Sequence, residues 1–257
     1  MREEIERITI LQFTEQGRNE IEDVVVTELP LTIILNHQEV VTLLCSPTKL
    51  EYLTVGYLWS EDLIKSKDEI REIKLDRETG VARVETEREV NVLSKPLLAS
   101  GGGRECTALS GVQRVSVESP MKLSSSQIFS LMENFVQRSE VFKTTGGVHS
   151  AALCEADSLL IFSEDIGRHN AIDKVFGECL LEDIPTDNRL IITSGRVSSE
   201  ILLKVAKRNI PLLVSKSAPT NLGVRLANDL DITLIGFVRG KRMNIYTHDE
   251  RVVIDEN

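Results

Sequence analysis

Residues 144–175 read TTGGVHSAALCEADSLLIFSEDIGRHNAIDKV. Two polar clusters that contain glycine, 144–150 and 164–170, bracket an apolar run at 158–162, and each cluster carries one of the chain's four histidines, His149 and His169. A strand that feeds a polar loop into the start of a helix, here from Asn170 onward, is how α/β proteins set groups around a ligand. The expected elements are a strand over 159–162 and a helix over 171–181.

Moving outward from there, the same arrangement repeats. Residues 190–193 form an apolar, β-branched run that ends in Ser194, Gly195 and Arg196, before a helical pattern over 198–208. A strand over 211–215 leads through Ser215, Lys216 and Ser217 to a helix over 220–229, and a strand over 232–237 leads to Arg239, Gly240, Lys241 and Arg242. Upstream, 126–137 places Ile128, Phe129, Leu131, Met132, Phe135 and Val136 on one face of a helix. Strand–helix alternation at this spacing predicts a sheet, at least partly parallel, with helices packed on it.

In such sheets the carboxyl ends of the strands face a common crevice. Gly146, Gly147, His149, Asp165, Arg168, His169, Ser194, Arg196 and Lys216 are expected to gather there. Helix N-termini, with Arg and Lys beside them, make a phosphate or pyrophosphate site. Arg168 and Lys216 are the candidates for phosphate. Asp165 is the candidate for a base edge or ribose hydroxyls, since a carboxylate accepts from two neighbouring donors. The chain as a whole is acidic, with formal net charge −10, so a ligand explains this gathering of cations better than overall charge does.

The first hundred residues read differently. Strands are expected over 7–13 and 23–29, with Pro30 ending the second, and hairpins over 31–44 and 70–87. Ser46-Pro47-Thr48 starts a helix that runs to about Ser60. The chain therefore divides into a β-rich part with one helix (1–95), a glycine-rich loop and connector (96–123) and an α/β part (124–257). The fold class is α/β (α+β).

At 257 residues, 41% hydrophobic and 27% charged, the chain has the composition of a globular protein with a sizeable core. Its acidity argues against a general nucleic-acid binder. No apolar run approaches the roughly 18 residues that span a bilayer, and MREEIERITI lacks the basic and apolar segments of a signal peptide. A cytoplasmic location with no membrane partner is expected.

The cysteines stand at 45, 106, 154 and 179 with no C-x-x-C pair, which is neither a zinc-finger spacing nor a disulfide framework. Cys45, Cys154 and Cys179 have apolar neighbours and read as buried small hydrophobes. Cys106 follows Ser100-Gly101-Gly102-Gly103-Arg104-Glu105, either a passive linker or a loop whose mobility is used.

The segments TTGGVHSAAL, EDIGRHNAIDKV, TSGRVSSEILLKV, VSKSAPTNLGVRLA and TLIGFVRGKRMNIYTH, with VTELPLTIILN and SPTKLEYLTVGYLWSEDLI upstream, together resemble the formate dehydrogenase accessory sulfurtransferase family, FdhD. The resemblance covers nearly the whole chain. It implies a cytoplasmic homodimer with a cytidine-deaminase-like C-terminal domain. It also implies an activity: persulfide sulfur is taken from a cysteine desulfurase and passed to the molybdenum or tungsten bis(molybdopterin guanine dinucleotide) cofactor of formate dehydrogenase, whose catalytic subunit is a partner. GDP would then mimic part of the cofactor. By the same resemblance Phe237, Val238, Arg239, Gly240, Lys241 and Arg242 contact the cofactor; otherwise they read as a basic hairpin turn.

Zinc-dependent deamination needs H-x-E and P-C-x-x-C. Here His149-Ser150-Ala151 lacks the glutamate and no cysteine pair follows, so neither zinc nor hydrolytic deamination is expected. Many family members carry a C-x-x-C pair in the loop that corresponds to 100–107, whereas this chain has Cys106 alone. Two functions remain open: a sulfurtransferase with Cys106 as the acceptor, or a cofactor-binding chaperone that carries no sulfur.

Overall fold

The computed structural model describes residues 4–88, 117 and 119–255. Two long strands come first, β1 (Ile5–Thr14) and β2 (Gly17–Val26), which pair only with each other as an antiparallel ribbon. The expected second strand, 23–29, is therefore split. β2 stops at Val26, and Leu29 opens the next strand, β3 (Leu29–Leu35), followed by β4 (Gln38–Cys45). Pro30 begins a strand instead of ending one. Its missing N–H is tolerated because only β4 pairs beside it, at Leu44. The helix α1 (Leu50–Ser60) follows, then the hairpin β5 (Ile70–Asp76) and β6 (Val81–Thr86), which completes a four-stranded sheet in the order β4-β3-β6-β5.

After a short strand β7 (Leu123–Ser124), the helix α2 (Ser125–Arg138) starts in a capping box. Ser124 Oγ accepts from Gln127 N, and the Gln127 side chain accepts from Ser124 N. A single-turn helix α3 (Glu140–Thr145) leads into β8 (His149–Cys154) and β9 (Leu159–Asp165). Then come α4 (Arg168–Leu181), β10 (Leu190–Thr193), α5 (Ser199–Ala206), β11 (Leu212–Ser215), α6 (Asn221–Asp229), β12 (Thr233–Arg239) and β13 (Arg242–Thr247). A last short strand, β14 (Val252–Val253), pairs with β7.

The second large sheet has the order β13-β12-β11-β10-β8-β9. β10, β11 and β12 are parallel, and β8 and β13 run against them. Residues alternate between its faces as the pleat requires. Ala151, Leu153, Ile191 and Leu213 join the core under α4, α5 and α6. Ala152, Cys154, Ile192 and Val214 join the core under α2. A third core lies between the four-stranded sheet and α1.

The two parts of the chain meet helix to helix, α1 against α4. Gly56 and Gly177 face each other there. A Cβ on Gly56 would overlap Asp173 O, and one on Gly177 would overlap Tyr52 O, so the two backbones touch.

At the free edge of the sheet, two carbonyls of β9 are taken by side chains. Lys49 Nζ donates to Phe162 O at 2.9 Å and Lys174 Nζ to Glu164 O at 3.1 Å. Among the described residues no helix is long and apolar enough to cross a membrane.

Candidate functional site

The edge that gathers the polar residues is set by strand direction. β8 runs antiparallel to both β9 and β10. Its first residue, His149, therefore lies beside the last of β9, Asp165, and at the edge where β10, β11 and β12 end. Gly146 and Gly147 precede β8 and His149 opens it, a strand absent from the expected pattern. They reach the crevice because β8 is reversed.

A cleft of about 340 Å³ opens at this edge. It is lined by the apolar Phe135, Val136, Phe142, Val148 and Ile166 and by the polar His149, Ser194, Lys216, Ser217 and Arg239. Six of the expected residues line it: Gly146, Gly147, His149, Ser194, Lys216 and Arg239. Gly146 closes α3 with φ +66, a left-handed conformation that glycine adopts freely. Gly147 is needed for space: a Cβ there would come within 2.8 Å of Val26 Cγ1.

Ser194 Oγ accepts from Ser150 N at 2.9 Å and lies 3.3 Å from His149 Nδ1. Ser194 thus ties the start of β8 to the end of β10 at the cleft and holds the His149 ring in place. Burial, helped by Arg168, lowers the His149 pKa, so the neutral form prevails. Lys216 Nζ stands 5.7 Å above the Phe142 ring, a cation–π contact at the cleft wall. Arg239 Nε donates to Lys216 O at 3.3 Å, which ties the ends of β11 and β12 together. Beneath the cleft, Glu164 accepts from Val141 N and Phe142 N and so holds α3 in place; burial raises its pKa.

Arg168 flanks this cleft. It packs over Gly195, where a Cβ would lie 2.9 Å from Arg168 Cβ, and its Nε is buried without a hydrogen-bond partner among the described residues. Burial and the nearby Arg196 lower its pKa. Arg196 is exposed.

Four expectations change. Asp165 is fully buried and turned inward. Oδ1 accepts from Gly167 N and Asn170 Nδ2, and Oδ2 from Ser46 N and Lys174 Nζ, so its acceptors are used within the chain. His169 is wedged against α5, with Nε2 3.1 Å from Glu200 Oε2. Val238 faces the core under α2, because an irregularity in β12, where Phe237 has φ +53, shifts the strand's alternation. Gly240, Lys241 and Arg242 form an exposed turn and do not line the cleft. Phe237 stacks under the Arg239 guanidinium, 5.9 Å from ring to cation. Phe142 and Ile166 line the cleft without having been expected; Phe142 sits on α3, which is too short to show helical periodicity. Cys106 lies outside the described residues.

Burial, then Lys204, Arg168, His149 and Arg196, push the His169 pKa down to about 3. The Glu200 carboxylate opposes this, but its side chain is 57% exposed, so water screens it and burial wins. The unfolded chain takes up this proton near 6.5 and the folded chain near 3. Between those values the unfolded state binds more protons, so stability rises with pH. Unfolding free energy is expected to fall by about 1–2 kcal/mol from pH 7 to pH 5 through this group. Urea melts of the wild type and His169→Gln at both pH values test this: an equal pH slope in the two proteins would remove His169 as its source.

The family model described as the FdhD/NarQ family matches residues 26–253. The chain belongs to the FdhD/NarQ family. It is 43% identical over 246 residues to the sulfur carrier protein FdhD of Bacillus subtilis, covering 93% of this chain and 94% of the relative. It is 41% identical over 261 residues to the protein of the same name from Listeria innocua, covering 96% and 98%. The fold is shared with a crystal structure from Desulfotalea psychrophila described as a formate dehydrogenase accessory protein. That match has a TM-score of 0.80 at 27% identity and covers 97% of this chain and 99% of the other. The family model runs from the last residue of β2 to the end of β14, and every residue lining the cleft falls within it.

Proposed function

We propose that this protein is a sulfur carrier for formate dehydrogenase. In this reading it takes sulfane sulfur from a cysteine desulfurase and passes it to a molybdenum or tungsten bis(molybdopterin guanine dinucleotide) cofactor, which is its substrate. The observation that carries the proposal is the cleft itself, which is lined by aromatic and aliphatic side chains together with Lys216, Arg239 and a neutral His149. Such a lining suits a ligand that carries a flat base and phosphate. Asp165 has no part in reading the base, and Phe142 takes that place as a stacking surface. The protein acts as a cytoplasmic homodimer, with a cytidine-deaminase-like C-terminal domain as scaffold.

Cys106 is the acceptor. Its thiolate attacks the outer sulfur of the donor persulfide; a new S–S bond forms on Cys106, the old one breaks, and the donor leaves as a thiolate, with no net oxidation. The other three cysteines are unsuited to this. Cys45, Cys154 and Cys179 are buried, and burial pushes each thiol up to about 12, so almost none is thiolate at neutral pH.

The absence of a second cysteine near Cys106 favours one other reading, a chaperone that binds the cofactor without carrying sulfur. Cys106→Ala separates the two. Sulfur carriage requires loss of the +32 Da adduct (one sulfur atom) after incubation with a cysteine desulfurase and cysteine, and at least a tenfold loss of client formate dehydrogenase activation. Full activation by Cys106→Ala would leave the chaperone reading. Calorimetry with GDP against ADP tests the cleft: equal binding would sink the guanine assignment, and no binding of either would sink the cleft reading.

A further inference from the structure

We infer that Ser46, in the β-rich part of the chain, is a positioning residue for the cleft at the edge of the other sheet. The inference rests on the nucleotide-cleft reading above.

The turn at Asp165-Ile166-Gly167 joins β9 to α4. It supplies Ile166 to the cleft wall and sets Arg168, the first residue of α4, beside it. Gly167 occupies the N-cap position and offers no capping side chain. What fixes the turn comes partly from Asp165, which accepts from Gly167 N at 2.9 Å.

The rest comes from residues 44–46, far away in sequence. Ser46 is itself buried and uses all three of its polar groups on this one turn and its support. Its N donates to Asp165 Oδ2 at 3.1 Å, its Oγ accepts from Ile166 N at 3.2 Å, and its carbonyl accepts from Lys174 Nζ at 3.4 Å. Leu44 O accepts from Asn170 Nδ2, which also binds Asp165. The Ile166 N–H is the group with the least choice. It sits where β9 has ended and α4 has not begun, so Ser46 Oγ is its acceptor within the chain, and losing that acceptor lets the turn take another conformation. The β-rich part therefore completes the wall of the cleft as well as packing against it.

Ser60 gives a matched control. It also crosses between the two parts, through Ser60 Oγ to Asp173 Oδ1 at 2.6 Å, but it touches neither the turn nor the cleft.

The experiment is calorimetric titration of the full chain with GDP, for wild type, Ser46→Ala and Ser60→Ala, with amide hydrogen exchange read at Ile166. Ser46→Ala is expected to weaken GDP binding about tenfold and to speed exchange at Ile166, while Ser60→Ala binds as the wild type does. Unchanged GDP affinity in Ser46→Ala overturns the inference. Equal weakening in both variants also overturns it, because general loosening of the joint would then be the cause. If the wild type binds no GDP, the cleft reading fails, and exchange at Ile166 in Ser46→Ala against Ser60→Ala still decides whether Ser46 holds the turn.

Discussion

Gly56→Ala is expected to cost about 3 kcal/mol or more in unfolding free energy, as forced overpacking can. The added methyl meets the backbone carbonyl of Asp173, and a carbonyl inside a helix cannot swing aside as a side-chain tip can. Either α1 and α4 separate, opening voids in two cores, or the helix hydrogen bonds distort. Gly177→Ala should do the same through Tyr52 O, and the double variant should cost less than the sum because both methyls force one separation. Gly146→Ala serves as the contrast. No atom lies within 4 Å of its Cβ position, so only the left-handed backbone opposes the change, at about 1 kcal/mol. Urea denaturation at fixed pH compares the three. A Gly56→Ala midpoint equal to that of the wild type would mean that the helices are not in backbone contact.

Lys174→Met is expected to be as damaging, at about 3–5 kcal/mol. Asp165 and Lys174 are both fully buried, with 2.7 Å between charges. Removing the ammonium strands a carboxylate that water cannot reach, and leaves Glu164 O and Ser46 O without a donor. Against a typical domain stability of about 5–15 kcal/mol, that is a large share. Asp165→Asn with Lys174→Met should recover part of the loss, since the unpaired charge is gone while an amide oxygen still accepts from the turn. A double variant no more stable than Lys174→Met would show that packing, not charge, dominates the site.

Much of this was legible in local pattern. β10, β11 and β12 are apolar runs that end in Ser, Gly or basic residues, and each was placed to within two residues at either end. α2 carried its helical periodicity openly. β8 escaped because HSAALC is built of small residues with none of the β-branched bulk that marks a strand. With β8 missing, the direction of the sheet around His149 could not be read, although its position at the crevice could. Asp165 was misassigned for a different reason. A carboxylate beside Gly, Arg and His looks the same in sequence whether it faces a ligand or an interior lysine. Besides Gly167 and Asn170 close by, its partners are Lys174 on α4 and Ser46, 119 residues away. Nothing local encodes that pairing. Val238 was expected at the cofactor by resemblance alone, and the irregularity at Phe237, whose φ is positive, turns it into the core instead.

The lysines along β9 bear on the order in which the molecule is assembled. Lys49 belongs to the loop before α1, and Lys174 to α4. The two carbonyls of β9 are covered only once both helices have docked. A chain that built its larger sheet first would present an open strand edge to its neighbours, the usual start of intermolecular pairing. Ribosomal synthesis delivers Lys49 and α1 before any strand of that sheet and α4 just after β9, so half of the guard is made ahead of the edge it protects. A circular permutant that moves residues 4–88 to the end of the chain would reverse that order, and should lose yield to aggregation during refolding even where its final fold is unchanged.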